Sequence, residues 1–200
     1  MPVKAKSETI DVPPMTIKRA TVTLRGLSPL LVHAWSVKAR QEILDKQMKK
    51  AKQAKEPKNP EDLFREAMYH CPDGQQGFPA VAFKAAAVDA CSHVADITKV
   101  TARGAFHIIG DMIPLQYESV TMQQDMVRIG MGTADVRIRP RYDGWSVTFD
   151  LRYNANVISL EQLALLFDTA GFSIGVGEWR PQKDGSYGMF ECASVAPLAD

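Results

Sequence analysis

A glycine-rich stretch limits what this chain can fold into more than any other segment. Residues 171–190 have the sequence GFSIGVGEWRPQKDGSYGMF and include five glycines. Because a glycine inside a helix costs about 1 kcal/mol relative to alanine, an ordinary helix cannot span the stretch. We predict strands or a loop there, in which another part of the backbone comes close.

Two interpretations of this stretch follow from its side chains. Trp179, Arg180 and Lys183 place an aromatic ring and positive charge beside the backbone N–H groups of Gly175 and Gly177. This combination suits a phosphate backbone that carries bases. The alternative is a strand bent at its glycines and continued as a hairpin, with Trp179 covering the core.

The composition describes a globular chain without a strong overall charge. Its 200 residues are 46% hydrophobic, which is ample for a core, and the formal net charge is +1. Any nucleic-acid binding must therefore come from local basic patches. The sequence contains neither a signal-peptide pattern nor an apolar run of the ~20 residues that span a bilayer. We expect a soluble, cytoplasmic protein without a membrane partner.

The cysteines and histidines show no pattern of a metal site. Cys71, Cys91 and Cys192 are widely spaced and form no CxxC motif, so we predict reduced, buried thiols. The histidines at positions 70, 93 and 107 have no partner at ligand spacing and are interpreted as structural. The sequence therefore predicts no metal and no cofactor.

The beginning of the chain divides into an arm and a strand. Residues 1–15 are polar and predict a flexible N-terminal arm. From Ile17 to Gly26 polar and apolar residues alternate, which predicts a strand with one buried face. A short apolar run then carries His33 and Trp35 towards the next helix.

Residues 36–76 are predicted to form a helical, basic insertion. A helix from Ser36 should stop before Pro57, and its thin apolar stripe predicts that it projects from the body. Its later part is rich in lysine, which indicates either a solvated face or a contact to phosphates. The candidate phosphate contacts in this helix are Lys46, Lys49 and Lys50.

A second helix is predicted from Pro60, and a third after Gly77-Phe78-Pro79, in the alanine-rich sequence AVAFKAAAVDACSHVA. Its small side chains would let it pack closely on a sheet. Lys84 lies near the start of this helix, where a lysine opposes the helix dipole. That lysine indicates either an anion nearby or simply an exposed side chain.

Strands and turns are predicted beyond Lys99. Residues 112–133 include a methionine-rich part that suits either a flap docking on another surface or core filling. Residues 135–154 predict a β-hairpin around positions 142–144. Ser159 is then predicted to cap an amphipathic helix that ends at Gly171. Arginines would lie close together across the hairpin: Arg137, Arg139, Arg141 and Arg152.

The order strand, helix, two strands, helix, strand predicts an α+β protein with the βαββαβ plan of the ferredoxin-like fold. A helix over residues 160–170 followed by residues 171–190 resembles the glycine-rich C-terminal loop of the RAMP superfamily. These repeat-associated mysterious proteins form CRISPR effector backbones and process guide RNA. Residues 77–90 resemble the family's turn and lysine-bearing helix, although the turn here is Gly-Phe-Pro-Ala and not Pro-Gly-Ser. The chain is short for a backbone subunit, which would fit a compact version on a phage or mobile element.

The resemblance implies a single domain over residues 16–200, with a modified RNA-recognition-motif fold and helical and β-hairpin insertions. RNA would be held by the glycine-rich loop, by the helix with Lys84 and by an inserted hairpin called a thumb, here residues 112–133. Backbone members of the family polymerise along RNA. The methionine-rich flap could therefore also be a contact to another copy or to other protein subunits.

These features together predict non-catalytic binding of single-stranded nucleic acid, with RNA preferred over DNA and side-by-side assembly along the strand. A groove that follows a backbone needs scattered basic residues and an aromatic ring for stacking. Arg180 and Lys183 alone supply modest charge, so Lys84 and the arginines at 137–141 would have to converge on the loop. The full candidate set is Lys84, Arg137, Arg139, Arg141, Gly175, Gly177, Trp179, Arg180, Lys183, Lys46, Lys49 and Lys50.

Two other functions stay open. RNA-processing members of the same superfamily are metal-independent endoribonucleases that often use a histidine near the first helix, and His33 falls in about that place. A lone histidine beside a tryptophan is equally compatible with a structural role. The near-neutral net charge favours a third function, a phage-encoded inhibitor that imitates a CRISPR subunit and docks through its methionine-rich flap.

Overall fold

The computed structural model describes residues 14–50, 59–129 and 132–198. These residues form an α+β structure of antiparallel sheets and five α-helices. The helices are α1 (Val37–Gln47), α2 (Pro60–Glu66), α3 (Ala80–Ala90), α4 (Lys99–Ala105) and α5 (Leu160–Ser173). The strands are β1 (Ile17–Gly26), β2 (Leu30–Leu31), β3 (Gly77–Pro79), β4 (Phe106–Ile108), β5 (Met112–Gln116), β6 (Ser119–Ile129), β7 (Thr133–Asp143), β8 (Ser146–Asn154) and β9 (Phe190–Leu198). Across the described ranges we find no helix with the length and apolar character needed to span a membrane.

The larger sheet is built around β1 and β8. Its strand order is β3-β5-β8-β1-β9, and β4 pairs with another part of β8. The strand predicted from Ile17 to Gly26 is confirmed, because every second side chain from Ala20 to Leu24 is buried. The opposite face of β1 and β8 is polar, and there the Thr21 hydroxyl donates to the Asp150 carboxylate at 2.7 Å.

The core lies between the apolar face of this sheet and two helices, α3 and α5. Phe83 of α3 and Phe149 of β8 have ring centroids 5.7 Å apart, and Phe149 is equally close to Phe167 of α5. Burying a side chain of this size stabilises the fold by roughly 1.5–3 kcal/mol. These rings therefore fix both helices on the same side of the sheet.

Helix α5 begins as the sequence predicts and continues two residues past Gly171. The Ser159 hydroxyl accepts a hydrogen bond from the Gln162 N–H, and the Gln162 Oε1 accepts one from the Ser159 N–H, forming a capping box. Gly171 is buried against β9, where an added Cβ would overlap the carbonyl oxygen of Phe190. The absence of a side chain at Gly171 therefore allows α5 and β9 to pack closely together.

The prediction of a β-hairpin around residues 142–144 is wrong. The chain turns there, but β7 pairs with β6 and β2 in a separate three-stranded sheet, whereas β8 pairs within the larger sheet. Trp145 explains the separation, because its side chain is 1% exposed and its Nε1 donates to the Ser28 carbonyl at 2.8 Å. Since β8 is anchored beside β1, Arg152 lies on the larger sheet and away from the arginines of β7.

The hairpin actually formed joins β6 to β7, with Ser119 opposite Asp143. Residues 117–145 leave and rejoin the larger sheet at neighbouring positions, since Gln116 of β5 pairs with Ser146 of β8. The methionine-rich flap predicted at 112–133 is thus divided: β5 belongs to the larger sheet and β6 to the hairpin. Residues 130–131 of that flap lie outside the described residues.

A helix, α4, follows Lys99, where strands and turns were predicted. The Thr98 hydroxyl accepts a hydrogen bond from the Thr101 N–H, which caps the helix start. Ala102 and Ala105 of this helix are buried. Tertiary burial of these two alanines therefore outweighs the weak helical pattern of the segment.

The basic helix α1 ends at Gln47, ten residues before the predicted limit at Pro57. Lys49 adopts a left-handed φ of 55°, and the Lys50 N–H donates to the Asp45 carbonyl at 2.9 Å. This is the Schellman arrangement that terminates helices. Residues 51–58 lie outside the described residues, as do residues 1–13 of the predicted N-terminal arm.

Candidate nucleic-acid interface

The glycine-rich stretch forms a compact loop between α5 and β9, and the loop predicted from close backbone approach is confirmed. The Val176 N–H donates to the Gly188 carbonyl, and the Tyr187 N–H donates to the Trp179 carbonyl, both at 3.0 Å. Gly188 has φ of +64°, and an added Cβ would overlap the Val176 carbonyl oxygen. A side chain at position 188 is therefore excluded twice, by conformation and by space.

This glycine-rich loop is also docked on the segment that follows β1. The Glu178 N–H donates to the Leu31 carbonyl at 2.9 Å, and the Gly188 N–H donates to the Pro29 carbonyl at 2.8 Å. Gly177 lies against the same Leu31 carbonyl. The loop therefore has a fixed position relative to β2.

Trp179 has a backbone conformation that bulky residues avoid. Its φ is 52°, in the left-handed region that costs roughly 1–2 kcal/mol for a residue with a side chain. Gly185 lies so close to the Trp179 carbonyl that an added Cβ would overlap it. Trp179 is 44% exposed and is not among the partly buried hydrophobic residues that pack against the core, so it does not cover the core as the alternative interpretation required. The loop instead directs an aromatic surface towards solvent.

Arg180 lies beside this ring and contacts only neutral groups in the described part of the chain. Its Nη1 donates to the Gly177 carbonyl at 3.0 Å, and its Nη2 donates to Gln182 Oε1 at 3.1 Å. Gln182 Nε2 in turn donates to Asp89 of α3 at 2.9 Å. The guanidinium is thereby oriented without a carboxylate that neutralises its charge. Lys183 lies three residues further on, exposed in a 3₁₀ helix (Pro181–Lys183).

A cleft of about 140 Å³ separates the loop from α3. It is smaller than the ~300–1,000 Å³ of clefts that bury small-molecule ligands. We therefore interpret it as a surface depression beside Arg180 and not as a cofactor pocket. Its walls are small and apolar residues together with the polar chain just described, namely Ala82, Ala85, Ala86, Ile174, Gly175, Val176, Gly177, Arg180, Gln182 and Asp89.

Lys84 lies on a different side of α3 from this cleft. Its Nζ is 3.1 Å from His107 Nδ1 and 5.7 Å from the centroid of the Phe106 ring, both in β4. Burial lowers the pKa of the Lys84 amine. Lys84 is not among the α3 residues that line the cleft, which are Ala82, Ala85, Ala86 and Asp89. The structure therefore does not bring Lys84 to the glycine-rich loop.

The arginines of β7 share one face of the hairpin, and each is paired with an aspartate. Arg137 Nε is 3.5 Å from Asp135, and Arg141 Nη2 is 3.0 Å from Asp143. Arg139 Nη1 donates to Asp125 of β6 at 2.8 Å. The row is thus close to electrically neutral, although the sequence alone suggested a concentrated positive patch.

Arg139 is the point where the hairpin meets the glycine-rich loop. It is the only charged residue that is buried among the described residues, and its second Nη lies 3.6 Å from Glu178 of the loop. His33 belongs to the same cluster: burial, followed by the charge of Arg139, lowers the pKa of its imidazole, and Glu178 opposes this. His33 Nδ1 is buried without a hydrogen-bond partner in the described structure.

The lysines of the basic insertion are exposed and separate from the loop. Lys46 lies in the last turn of α1, and Lys49 and Lys50 follow it. Lys50 Nζ is 2.9 Å from Asp45, which reduces its net charge contribution. The structure shows no side-chain contact between these three lysines and the glycine-rich loop.

Four polar residues of this region were not selected from the sequence: Asp89, Asp125, Glu178 and Gln182. Glu178 could have been found, because it directly precedes Trp179 in the stretch already chosen. The sequence around Asp89 and around Asp125 does not indicate that either residue belongs to this region. Their partners, Gln182 and Arg139, are 93 and 14 positions away, so only tertiary structure reveals them.

No family model matches this chain, and no curated protein matches it. Among solved structures, the chain is similar to a chain in the cryo-electron-microscopy structure of the type III-B Cmr-beta bound to cognate target RNA, with 10% sequence identity and a TM-score of 0.49. That alignment covers 91% of this chain and 61% of the other, so this chain spans less than two thirds of its length. It is also similar to Cmr6 from Pyrococcus furiosus, seen in a crystal structure, with 11% identity, a TM-score of 0.42, and coverage of 90% of this chain and 100% of the other.

Proposed function

We propose that this chain binds single-stranded nucleic acid at the glycine-rich loop, with RNA preferred over DNA, and that it does so without cleaving the strand. The observation that carries the proposal is Trp179, held with φ of 52° and with its ring 44% exposed. Strained conformations persist where the surrounding structure enforces them, and such residues cluster at functional sites. An exposed indole on a rigid loop is a stacking surface for an unpaired base.

The charges beside the ring support a phosphate-bearing ligand. Arg180 lacks a carboxylate partner among the described residues, and its orientation is fixed by Gly177 and Gln182. Lys183 is exposed next to it. A guanidinium already aligned by neutral acceptors retains its charge for a phosphate oxygen.

The open face of the larger sheet is less suited to this role. Its central positions are threonines and charged residues, including Thr21, Thr23, Thr148 and Asp150, which contact one another across the strands. RNA-recognition motifs that bind on the sheet use aromatic rings on that face. The exposed aromatic residue Trp179 lies on the loop, and we place the binding site there.

The architecture proposed for this function is a ferredoxin-like βαββαβ unit of the RAMP type, here a compact subunit of a CRISPR-related assembly. The order β9-β1-β8, with β4 on the far side of β8, supports this proposal. The β6–β7 hairpin would serve as the thumb. Its arginines would then contact the bound nucleic acid only after their ion pairs with the aspartates break. In this proposal copies of the chain assemble side by side along the bound strand.

Fluorescence anisotropy with labelled single-stranded RNA and DNA of equal sequence tests the function. We expect RNA to bind more tightly than DNA, and Trp179→Leu to weaken binding by about 5- to 150-fold, the loss of one stacked base. The matched control is Trp35→Leu, because Trp35 is 54% exposed but lies before α1. Absence of salt-sensitive binding to any oligonucleotide, or equal losses in both variants, would contradict the proposal.

A second candidate function, an endoribonuclease, is favoured by the cluster around His33. Burial lowers the pKa of the imidazole, so the neutral form that can accept a proton predominates at neutral pH. The Glu178 carboxylate and Arg139 are close enough to influence that pKa. The test is cleavage of structured RNA by the purified chain. Activity that disappears in His33→Ala would favour catalysis over simple binding.

A further inference from the structure

Helix α5 carries an exposed stripe outside the proposed nucleic-acid interface. Glu161, Leu165, Asp168 and Phe172 follow one another at spacings of four, three and four residues, which places them in line on one helical face. Leu165 is 50% and Phe172 is 71% exposed. This α5 stripe therefore alternates acidic residues with large, exposed apolar residues.

Helix α1 has an exposed face of the opposite charge. Ile43, Leu44 and Met48 are 42%, 50% and 65% exposed. Arg40 lies on the same side of the helix, four residues before Leu44, and is exposed as well. We define these four residues as the α1 face.

We propose that the α1 face of one copy of this chain docks on the α5 stripe of a second copy. The two surfaces are complementary in charge, because Arg40 on α1 is positive and Glu161 and Asp168 on α5 are negative. Both surfaces also offer large apolar side chains that can be buried together. They match in length, since α1 has 11 residues and α5 has 14, or about 16 and 21 Å.

Docking of two different surfaces gives a head-to-tail contact. Each copy keeps a free α1 face at one end and a free α5 stripe at the other, so copies can continue in a row. The inference deepens the side-by-side assembly in the proposed function and rests on it, because it names the surfaces involved. A single pair of helices buries less than the ~1,200–2,000 Å² of stable interfaces, so we expect weak, concentration-dependent association.

Sedimentation-equilibrium ultracentrifugation without nucleic acid tests the proposal. The wild-type chain should grow in mean mass as its concentration rises to about 1 mM, the weak limit of specific association. Phe172→Ser removes the anchor of the α5 stripe, and Leu44→Ser removes that of the α1 face. Each variant alone should associate about tenfold more weakly or not at all. The matched control is Val81→Ser, because Val81 is 70% exposed on α3 and belongs to neither surface.

Mixing the two variants gives the decisive measurement. The intact α1 face of Phe172→Ser can bind the intact α5 stripe of Leu44→Ser, so an equal mixture should form a 1:1 dimer and no larger species. Unfolding midpoints of all variants should equal the wild-type value, which separates a lost contact from a lost fold. A wild-type chain that stays monomeric, a variant that associates normally, or a mixture that stays monomeric would overturn the proposal.

The same variants separate this inference from the proposed function. RNA binding is measured at concentrations far below those of self-association, where Phe172→Ser and Leu44→Ser should bind labelled RNA like the wild type. Failure of association with intact RNA binding would overturn only the α1–α5 contact. Failure of RNA binding with intact association would overturn the proposed function and leave this contact in place.

Discussion

Trp179 and its neighbours show how single residues define the proposed site. The strained backbone of Trp179 is held by the hydrogen bond from Tyr187 and by the absence of a side chain at Gly185. Neither neighbour needs to touch a ligand. A backbone N–H at Tyr187 and the absence of a side chain at Gly185 therefore hold the backbone that carries the aromatic ring.

The first prediction concerns Gly171→Ala. The added methyl group would overlap the Phe190 carbonyl oxygen, which belongs to backbone and cannot rotate away. We expect the free energy of unfolding to fall by about 3 kcal/mol, as for overpacked cores. Urea denaturation followed by circular dichroism measures this loss.

The control for Gly171→Ala is Gly104→Ala. Gly104 lies in α4 with open space around it. Alanine is preferred there, so this variant should gain about 0.5–1 kcal/mol of stability. Similar destabilisation by both substitutions would show that the contact at Gly171 is not the cause.

The second prediction is a pH dependence of stability that comes from His33. Burial lowers the pKa of His33 in the folded chain below its ordinary value of 6.5. The unfolded chain therefore binds more protons below pH 6.5, and stability falls as the pH decreases through the folded pKa. The His33→Gln variant has no such group. Urea midpoints measured at several pH values between neutral and about pH 5 should fall less in this variant than in the wild type.

Elements of the chain are joined at Arg139, which connects the hairpin to the glycine-rich loop. Asp125 belongs to β6, Glu178 to the loop, and His33 to the segment after β2. A movement of the hairpin would therefore shift Glu178, which directly precedes Trp179. The orientation of the proposed stacking surface depends on where the hairpin lies.

The third prediction compares Arg139→Met with Arg141→Met. Loss of Arg139 leaves Asp125 and Glu178 without their shared cation, one of them mostly buried. We expect a loss of about 1–3 kcal/mol for Arg139→Met. Arg141 has a half-exposed partner, Asp143, so its loss should cost less than about 1 kcal/mol. Thermal unfolding of both variants distinguishes these values, and equal effects would contradict the connection through Arg139.

Local sequence patterns predicted the helices and strands better than they predicted which strands pair with one another. Alternation in β1, the alanine-rich helix α3 and the capping residue Ser159 are all encoded within a few neighbouring residues, and all were found. The partner of β7 was not, because a strong turn signal at 142–144 is compatible with either a hairpin or a passage between sheets. Burial of Trp145 decides between them, and burial is a tertiary property.

The charge of the whole molecule limits how it can hold a strand. The net charge is +1, the β7 arginines are paired with aspartates, and Lys84 lies beside β4. The convergence of basic residues expected from the sequence is therefore not found. The proposed site is therefore reduced to Trp179 with Arg180 and Lys183. Sequence reasoning located this group because all three lie in one short stretch.

The fourth prediction is a shallow salt dependence of RNA binding. Two cations that contact phosphates should give a slope of log Kobs against log salt of about −1.4, at roughly −0.7 per phosphate for a single strand. Arg180→Gln should reduce the slope by about 0.7. Anisotropy titrations between low and moderate salt measure both values. A slope much steeper than −1.4 would mean that the hairpin arginines leave their aspartates and join the contact.

The pairing of Gln116 with Ser146 has a consequence for how this architecture can vary. The chain leaves the larger sheet after Gln116 and re-enters it at Ser146, the residue with which Gln116 pairs. Residues could be spliced into or out of that excursion without altering the register of β5 against β8, provided that Trp145 keeps its place beneath Gly26. The length of the β6–β7 hairpin is therefore independent of the larger sheet. Insertions or deletions can lengthen or shorten the hairpin while the rest of the chain folds as before.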